Sequence, residues 1–510
     1  MGQAEPEAPL RVLVTGATGY LGGRLVPELL AAGHSVRCLA RTPAKLDDRP
    51  WVGRVSVVRG DLTDGDSLAE ALRDIDVAYY LVHALGGGGD FAARDRLAAR
   101  TFAERARAAG VGRIVYLGAL TPPDVPVERL SPHLRSRAEV GRVLLDSGVP
   151  TAVLGAAVVI GSGSASFEML RHLTERLPVM TTPTWVRTRV QPIAVRDVLH
   201  LLVGCARLPA HLNREFDIGG PDVLTYQDMM RRYALHAGLP RRVILPVRVL
   251  SPGLSSLWVG LVTPVPRRLA RPLVESLRHE VVCREQDLTC YVLPPPGGFL
   301  GIDLALRRAI RRVGGAEPVA PAERVAPSDP LPSDPSWAGG SLYADRRARV
   351  VHADRDALWR VIEGIGGRNG WYSSPLAWAV RGWLDMLTGG VGARRGRPDP
   401  ARLRLGDALD FWRVVALERG SLLRLRAEMR LPGDAWLELG VGTDAAGRTV
   451  YRQRALYHPR GLAGHLYWWA VAPFHAWIFG GMVRKISARA EMDAGVEAGA
   501  HSAAARPSPG

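Results

Sequence analysis

Lysine is almost missing from this 510-residue chain. Only Lys45 and Lys485 occur, so nearly all of the formal net charge of +16 at pH 7 comes from arginine. The arginines are scattered, with no block of basic residues and no interleaved aromatic residues, and this pattern argues against nucleic-acid binding. A basic surface still favours anionic small-molecule ligands.

Cysteine is also scarce, and no two cysteines have the C-x-x-C spacing of a metal or redox motif. The four residues are Cys38, Cys205, Cys283 and Cys290. This arrangement excludes a disulfide framework and the usual zinc spacing, so we expect no metal and a reducing cytoplasm. The polar start of the chain, with Glu5 and Glu7, does not resemble a signal peptide.

Long uncharged runs are few. Residues 465–483 carry no formal charge and are rich in tryptophan and phenylalanine, and their length is just enough to span a bilayer. The run is interrupted by His465, Pro473 and His475. We expect a buried helix here, and membrane attachment, integral or peripheral, is the alternative.

A strand, a glycine-rich turn and a helix follow one another at the start of the chain. Residues 10–14 predict a short strand, residues 16–22 the turn, and the helical pattern continues to Ala32. This arrangement brings backbone amides to a helix N-terminus, where a dinucleotide pyrophosphate is stabilised. The candidate cofactor-binding residues here are Thr15, Gly16, Thr18, Gly19, Tyr20, Leu21 and Gly22.

Residues 10–160 alternate strand and helix patterns, which predicts a doubly wound parallel sheet of the α/β Rossmann type. The expected strands are 10–14, 35–40, 55–59, 77–82, 113–118 and 151–160, and the expected helices are 20–32, 66–73, 90–109 and 135–147. Residues 161–315 are less regular and form the expected substrate lobe of a first domain, 1–315. A proline-rich linker (316–340), a second domain (341–490) and a disordered tail (491–510) complete the expected organisation.

The end of the second strand bears on the choice of dinucleotide. NAD sites usually have an acidic residue there, and NADP sites an arginine. Here the strand ends at Arg41, with Lys45 four residues later, whereas Asp47 and Asp48 come late. The sequence therefore favours NADP(H) over NAD(H).

Three further positions are candidate cofactor contacts. Asp61 and Leu62 follow the third strand, where side chains border the adenine. His83 follows the fourth strand, where a parallel sheet delivers residues toward the pyrophosphate and the nicotinamide.

Four features carry a resemblance to a known superfamily: the glycine motif, Arg41, Gly60-Asp61-Leu62 and the later Arg196-Asp197-Val198. With them, the chain resembles the short-chain dehydrogenase/reductase superfamily over about residues 9–310. The closer resemblance is to its extended and atypical branch, which includes nitrogen-metabolite-repressor-like proteins and the nucleotide-binding accessory subunit of respiratory complex I. This resemblance implies a Rossmann fold and hydride transfer with NAD(P).

The catalytic Tyr-x-x-x-Lys of that superfamily occurs nowhere in this chain. At its expected place the chain has His133-x-x-x-Arg137, a spacing that puts both side chains on one helix face. His133 could move a proton and Arg137 could supply a fixed charge, while Thr121 is the hydroxyl available after the fifth strand. The alternative is that His133 and Arg137 are surface residues and the site is catalytically silent.

Two loops of the substrate lobe could line a substrate pocket. They are residues 162–166, which are rich in serine, and residues 191–197. Serine and aspartate are also favoured at helix caps, so a purely structural role is the other interpretation.

Residues 341–490 resemble the START-like helix-grip fold, in which a curved antiparallel sheet wraps a long C-terminal helix. They resemble an uncharacterised family more closely. The matching stretches are 366–372, 389–396, 406–413 and 427–433. The resemblance implies an α+β domain with an apolar cavity for a hydrophobic small molecule. Asp410, Arg413 and Glu428 are its candidate polar contacts.

Together these features predict an NADP(H)-binding oxidoreductase that transfers hydride to or from a hydrophobic carbonyl, enone or quinone-like compound. The alternative is a catalytically silent NADP(H)-binding sensor or regulator whose second domain binds a hydrophobic ligand. The sequence makes no prediction of the oligomeric state.

Overall fold

The computed structural model describes residues 8–83, 91–122, 124–247, 262–310, 338–373, 399, 402–444 and 446–504. The chain divides into two compact units, the first mainly residues 1–313 and the second mainly residues 341–510. Most of the predicted linker and the 389–396 stretch lie outside the described residues.

The first unit alternates strands and helices along its N-terminal half. Its strands are β1 (Arg11–Thr15), β2 (Ser35–Ala40), β3 (Ser56–Arg59), β4 (Val77–Tyr80), β5 (Arg113–Ala119), β6 (Thr151–Ala156), β7 (Val159–Ile160), β8 (Val179–Pro183), β9 (Arg189–Val190), β10 (Ile193–Ala194), β11 (Arg214–Ile218), β12 (Leu224–Thr225) and β13 (Val243–Val247). Its helices are α1 (Tyr20–Ala31), α2 (Gly65–Leu72), α3 (Phe91–Ala108), α4 (Pro132–Leu145), α5 (Ala165–Arg176), α6 (Val195–Cys205), α7 (Tyr226–His236), α8 (Arg267–Ser276) and α9 (Ile302–Ile310).

Seven of these strands form one parallel sheet in the order β11-β6-β5-β4-β1-β2-β3. The central strands are buried on both faces, as their continuous apolar sequences require. The strand order reverses between β1 and β4, and ligands of such sheets bind beyond the carboxyl ends of the strands at this point. The predicted Rossmann-like fold is confirmed.

The predicted strand 151–160 is wrong in one respect. The chain leaves the large sheet after Ala156, and β7 pairs instead with β10 in a separate two-stranded sheet. Both pieces are buried, so the sequence is apolar throughout and its hydropathy does not mark the break.

The substrate lobe, which the sequence left irregular, has its own apolar core. Side chains from α5, α7, α8 and α9 pack around Phe167 and Tyr233. A buried carboxylate, Asp217 on the edge strand β11, accepts hydrogen bonds from Arg284 through Nε (2.9 Å), a terminal guanidinium nitrogen (2.8 Å) and the backbone amide (2.9 Å). This pair joins the edge of the sheet to the segment around Arg284, which follows helix α8.

Within its described residues, the second unit is an antiparallel sheet with two helices. Its strands are β14 (Tyr343–Val350), β15 (Ala408–Leu409), β16 (Trp412–Glu418), β17 (Leu422–Ala427), β18 (Gly433–Thr443) and β19 (Thr449–Pro459), and its helices are α10 (Arg355–Glu363) and α11 (Gly461–Ala504). The sheet order is β14-β19-β18-β17-β16-β15. Helix α11 packs on β14, β19 and α10, so this unit has the predicted α+β composition.

Two predicted boundaries in this unit are wrong. The sequence of residues 408–417 predicts one continuous strand, but a turn at Asp410 interrupts it; the φ of Asp410, 51°, lies in the left-handed region that aspartate tolerates better than most residues. Helix α11 continues to Ala504, although disorder was expected from residue 491. Residues 491–504 are rich in alanine, the strongest helix former.

Within the described part of the chain, no helix is both long enough and apolar enough to cross a bilayer.

Candidate cofactor and active site

The turn after β1 has the geometry that a bound phosphate requires. Gly16 has φ of 78°, and a Cβ at this position would lie 2.7 Å from the carbonyl oxygen of Leu81. A Cβ at Gly22 would lie 2.3 Å from the carbonyl oxygen of Gly16. The Gly19 amide donates to the Gly16 carbonyl at 2.8 Å, and helix α1 begins at the next residue. Glycines therefore keep the turn tight against the end of β4.

Helix α1 has no side-chain cap at its N-terminus, where Gly19 is the capping residue. First-turn amides of a helix lack intrahelical partners and carry the positive end of the helix dipole. Thr18 and Gly19 are exposed beside this end of the helix. The turn thus fits the pyrophosphate of a dinucleotide.

Three of the predicted cofactor residues use their side chains within the protein. The buried Thr15 hydroxyl donates to the Tyr79 carbonyl at 2.9 Å and accepts from the Leu81 amide at 3.2 Å, so it holds β1 to β4. Leu21 packs against the core of the sheet, and buried Leu62 packs beneath α2 and α3. These internal contacts help to hold the turn and the neighbouring strands in place.

Tyr20 points toward the start of the substrate lobe. A Cβ at Gly161 would lie 2.4 Å from its hydroxyl oxygen. The guanidinium of buried Arg24 lies over the Tyr20 ring, 4.4 Å from the centroid, and donates to the Ser162 carbonyl at 3.0 Å. The first turn of α1 is therefore packed directly against residues 161–162.

The basic residues after β2 are exposed, as a contact to an adenosine phosphate requires. Arg41 and Lys45 both have exposed side chains. Partial burial raises the pKa of Asp61, but the hydrogen bonds from Thr63 and the charge of Arg41 outweigh it and hold that pKa below its ordinary value. Asp61 and Arg41 thus lie at the same edge of the site, where the Asp61 carboxylate accepts from the Thr63 amide (2.9 Å) and hydroxyl (2.7 Å).

A hydrogen-bonded relay of three side chains lies beside the turn. His83, three residues past the end of β4, makes a 2.6 Å contact from Nδ1 to the Asp95 carboxylate on α3. Its Nε2 lies 3.1 Å from Nδ1 of His133, in the first turn of α4. The Ser136 hydroxyl donates to the same Asp95 carboxylate at 3.1 Å. The sequence predicted His83 and His133 separately, and the structure joins them directly, with Asp95 on the other nitrogen of His83.

The start of α4 positions His133. The Ser131 hydroxyl caps the helix by accepting from the Leu134 amide at 3.2 Å, and Pro132 occupies the first helical position. The helix therefore begins three residues before its predicted start. His133 is only 8% exposed, so it is not the surface residue that the silent alternative assumed.

Burial is the main electrostatic influence on both histidines. It lowers the pKa of His133 well below the ordinary value, and the neighbouring His83 and Arg137 lower it further. Burial also lowers the pKa of His83, although the hydrogen bond to Asp95 opposes the shift. Both rings are therefore neutral at pH 7.

The hydrogen bonds then fix the proton positions. The Asp95 carboxylate accepts, so His83 carries its proton on Nδ1 and leaves Nε2 as an acceptor. His133 must donate from Nδ1 to that acceptor, which leaves the lone pair of His133 Nε2 outside the relay. That nitrogen is able to accept a proton.

The other two predicted catalytic residues are placed differently. Arg137 donates to the Leu117 carbonyl and lies over the Tyr116 ring, 4.9 Å from its centroid, so it is a fixed charge of the scaffold. Thr121 is half-buried, and its hydroxyl forms no hydrogen bond with another residue of the described ranges.

Asp95 and Ser136 were missed by sequence reasoning. A signal for Asp95 was present, because it shares the buried face of α3 with Ala98, Ala99 and Phe102, where a carboxylate needs a partner. The described residues contain no group of three His, Cys, Asp or Glu side chains that could hold a metal.

The candidate polar residues of the second unit are engaged internally. The Asp410 carboxylate accepts from the Trp371 indole at 2.8 Å. Arg413 and Glu428 form a two-bond ion pair, with nitrogen–oxygen distances of 2.5 and 3.2 Å. These contacts stabilise the β15–β17 corner.

Comparisons with known proteins agree with this geometry. Residues 16–149 match the model of the NAD(P)H-binding family, and residues 337–482 match a protein family of unknown function, DUF2867. A 3β-hydroxysteroid dehydrogenase/Δ5→4-isomerase of Mycobacterium tuberculosis is 35% identical over 127 residues, which are 23% of this chain and 34% of that protein. The chloroplastic divinyl chlorophyllide a 8-vinyl-reductase of Oryza sativa subsp. indica is 26% identical over 264 residues, 49% of this chain and 63% of that protein.

The chain thus spans between a third and two thirds of the length of these curated relatives. Among solved structures, a triphenylmethane reductase of Citrobacter sp. aligns with 59% of this chain and 99% of its own, at 19% identity and a TM-score of 0.47. Residues 16–149 of the first unit thus resemble NAD(P)H-binding proteins, and the matched curated relatives are a dehydrogenase and a reductase.

Proposed function

We propose that the first unit is an NADPH-dependent oxidoreductase that transfers hydride between the nicotinamide and a hydrophobic carbonyl, enone or quinone-like compound. The observation that carries the proposal is the Asp95–His83–His133 relay at the carboxyl edge of the sheet, where Leu81 also touches Gly16. The resemblance to a steroid dehydrogenase and a vinyl reductase supports hydride chemistry on such compounds.

The bound dinucleotide would supply the hydride for reduction or accept it in oxidation, and this chain's residues would bind the dinucleotide and move the proton. The α1 turn would hold the pyrophosphate, and Arg41 with Lys45 would pair with the 2′-phosphate. During alcohol oxidation, the Nε2 lone pair of His133 accepts the hydroxyl proton. His133 Nδ1 then passes a proton to His83, and His83 Nδ1 passes one to Asp95. Reduction runs the same transfers in reverse.

A panel of quinones, enones and carbonyls with NADPH and NADH, followed by cofactor oxidation, tests this function. We expect His133→Ala to lower turnover by about 10²- to 10⁴-fold, the usual contribution of acid–base catalysis. His236→Gln is the matched control, because His236 also pairs with a carboxylate, Asp303, at 2.7 Å in the same unit. Unchanged turnover in His133→Ala would exclude the relay from catalysis.

Cofactor preference is tested by calorimetry. Arg41→Ala should weaken NADPH binding by at least about tenfold, because one hydrogen bond between charged groups is lost. It should leave NADH binding unchanged, since NADH has no 2′-phosphate. Arg59→Ala, an exposed arginine at the end of β3, is the control. Full retention of the NADPH preference in Arg41→Ala would disprove the role of Arg41.

The alternative function is a sensor that binds NADP(H) without turning it over. The low pKa of His133 favours it, because a ring that is neutral at pH 7 is a poor acid for carbonyl reduction. Tight NADPH binding without oxidation by any compound of the panel would favour the sensor over the oxidoreductase.

We also propose that the second unit is a START-like helix-grip unit that holds a hydrophobic small molecule. The support is its six-stranded antiparallel sheet with the long helix α11 packed on β14 and β19. Because Asp410, Arg413 and Glu428 are already paired, ligand selection would depend on apolar contacts. Native mass spectrometry of the purified chain tests for a retained ligand, and an experimental structure tests the fold.

A further inference from the structure

Helix α11 carries a row of large apolar side chains on its solvent side, which we call the aromatic stripe. It consists of Leu462, Leu466, Trp469, Phe474 and Trp477, whose exposed fractions are 40, 61, 68, 62 and 59%. Their spacing places them along one side of the helix. The row covers about four turns.

The opposite side of the same helix forms the packing contacts of the second unit. Trp468 stacks on Tyr343, with 4.8 Å between ring centroids, and on Tyr457 at 5.8 Å. Phe479 and Met482 are buried in the core. The aromatic stripe is therefore not needed to fill that core, and an exposed apolar row of this size marks an interaction site.

The helix segment that carries the stripe has formal charges of one sign only. Residues 461–490 contain no aspartate or glutamate, whereas Arg460 precedes the helix and Arg484 and Lys485 follow the stripe. Arg484 is exposed and comes seven residues after Trp477, so it continues the same side of the helix. The surface that the stripe contacts should therefore be apolar at its centre and anionic at its edge.

We propose that the aromatic stripe docks this protein on an anionic lipid bilayer, with helix α11 lying in the plane of the headgroups. Tryptophan and phenylalanine favour this region, and basic residues beside them attract anionic headgroups. Residues 462–477 extend about 24 Å along the helix axis, a length suited to lying on a membrane. The proposal goes beyond the proposed enzyme function and does not depend on it.

Vesicle flotation with the full chain tests the proposal. We expect binding to vesicles of phosphatidylcholine and phosphatidylglycerol, weaker binding at high salt, and little binding to phosphatidylcholine alone. The double variant Phe474→Ser/Trp477→Ser should bind at least about tenfold more weakly, because both side chains lose their apolar burial. Leu405→Ser is the matched control, since Leu405 is 70% exposed in the same unit but outside the stripe.

Arg484→Gln should weaken binding to the anionic vesicles without affecting binding to neutral ones. Failure of the wild-type chain to float, or equal flotation of the double variant, would disprove the proposal.

Hydroxyl-radical footprinting of Trp469 and Trp477 gives an independent test: we expect oxidation without lipid and protection with it. Protection without lipid would show that the chain itself covers the stripe. If the wild-type chain forms a dimer and the double variant is a monomer, the stripe is a self-association surface instead. Protection without lipid or such a dimer would each overturn the proposal.

Discussion

Gly22→Ala is the sharpest test of the cofactor turn, because the glycine has no room for a side chain. A Cβ there would lie 2.3 Å from the Gly16 carbonyl oxygen, 2.7 Å from its carbonyl carbon and 3.0 Å from the Ala17 Cα. All three atoms belong to the backbone, so turn and helix must separate by about 1 Å to restore an ordinary contact. An amide-to-phosphate hydrogen bond stretched by that amount is lost.

The expected loss follows from the strength of one such bond. A hydrogen bond to a charged group contributes about 1.5–3 kcal/mol. The Kd for NADPH should therefore rise by about 10- to 150-fold. Titration calorimetry on the full chain measures this change, with unfolding midpoints recorded for each variant to establish that the fold is retained.

Gly53→Ala is the matched control, since a Cβ at Gly53 meets no atom within 4 Å. We expect its affinity for NADPH to equal that of the wild-type chain. If Gly22→Ala also binds NADPH within about twofold of wild type, the phosphates do not lie on this turn and the assignment of the site is wrong.

Three further outcomes are expected. Ellman's reagent should label the exposed Cys290 of the native chain and not Cys38, because burial raises the pKa of the Cys38 thiol to about 12. Rapid labelling that persists in Cys290→Ser would contradict this prediction. Asp217→Asn should lower the free energy of unfolding by about 2 kcal/mol. This is less than the loss expected from breaking a fully buried ion pair, because the Arg284 partner is half-exposed. Arg189→Gln, at an exposed ion pair, should change the free energy of unfolding by less than about 0.5 kcal/mol. The free energy of unfolding should fall as the pH drops below about 6.5, because the unfolded chain protonates His133 and the folded chain does not. Denaturant titrations of wild type and His133→Gln at several pH values measure how steeply the free energy of unfolding falls. An equal dependence on pH in both proteins would refute this prediction.

Most elements of the first unit were predictable because their signals are local. The strand ending at Thr15, the glycine turn and the helix beginning at Tyr20 are fixed by backbone requirements within a few residues. The sequence did not predict the break after Ala156, because the residues on both sides of it are equally apolar. The left-handed turn at Asp410 was likewise not recognised within a strand-like pattern.

The candidate site was only partly predictable for the same reason. His133 and Arg137 were chosen by their spacing, and spacing does not reveal that Arg137 turns to the Leu117 carbonyl. Thr15 has the right position for a cofactor contact, but its hydroxyl joins two strands.

By itself, the sequence determined that a dinucleotide-binding turn opens this chain and that the lysine of the usual catalytic pair is missing, since both depend on residue identity and local spacing. Only the tertiary structure decided what stands in the place of that pair. His83, Asp95 and His133 come from the end of a strand and from two different helices, and the parallel sheet brings them into one hydrogen-bonded chain. Burial then keeps both histidines neutral, because the charged form of each ring loses its hydration there.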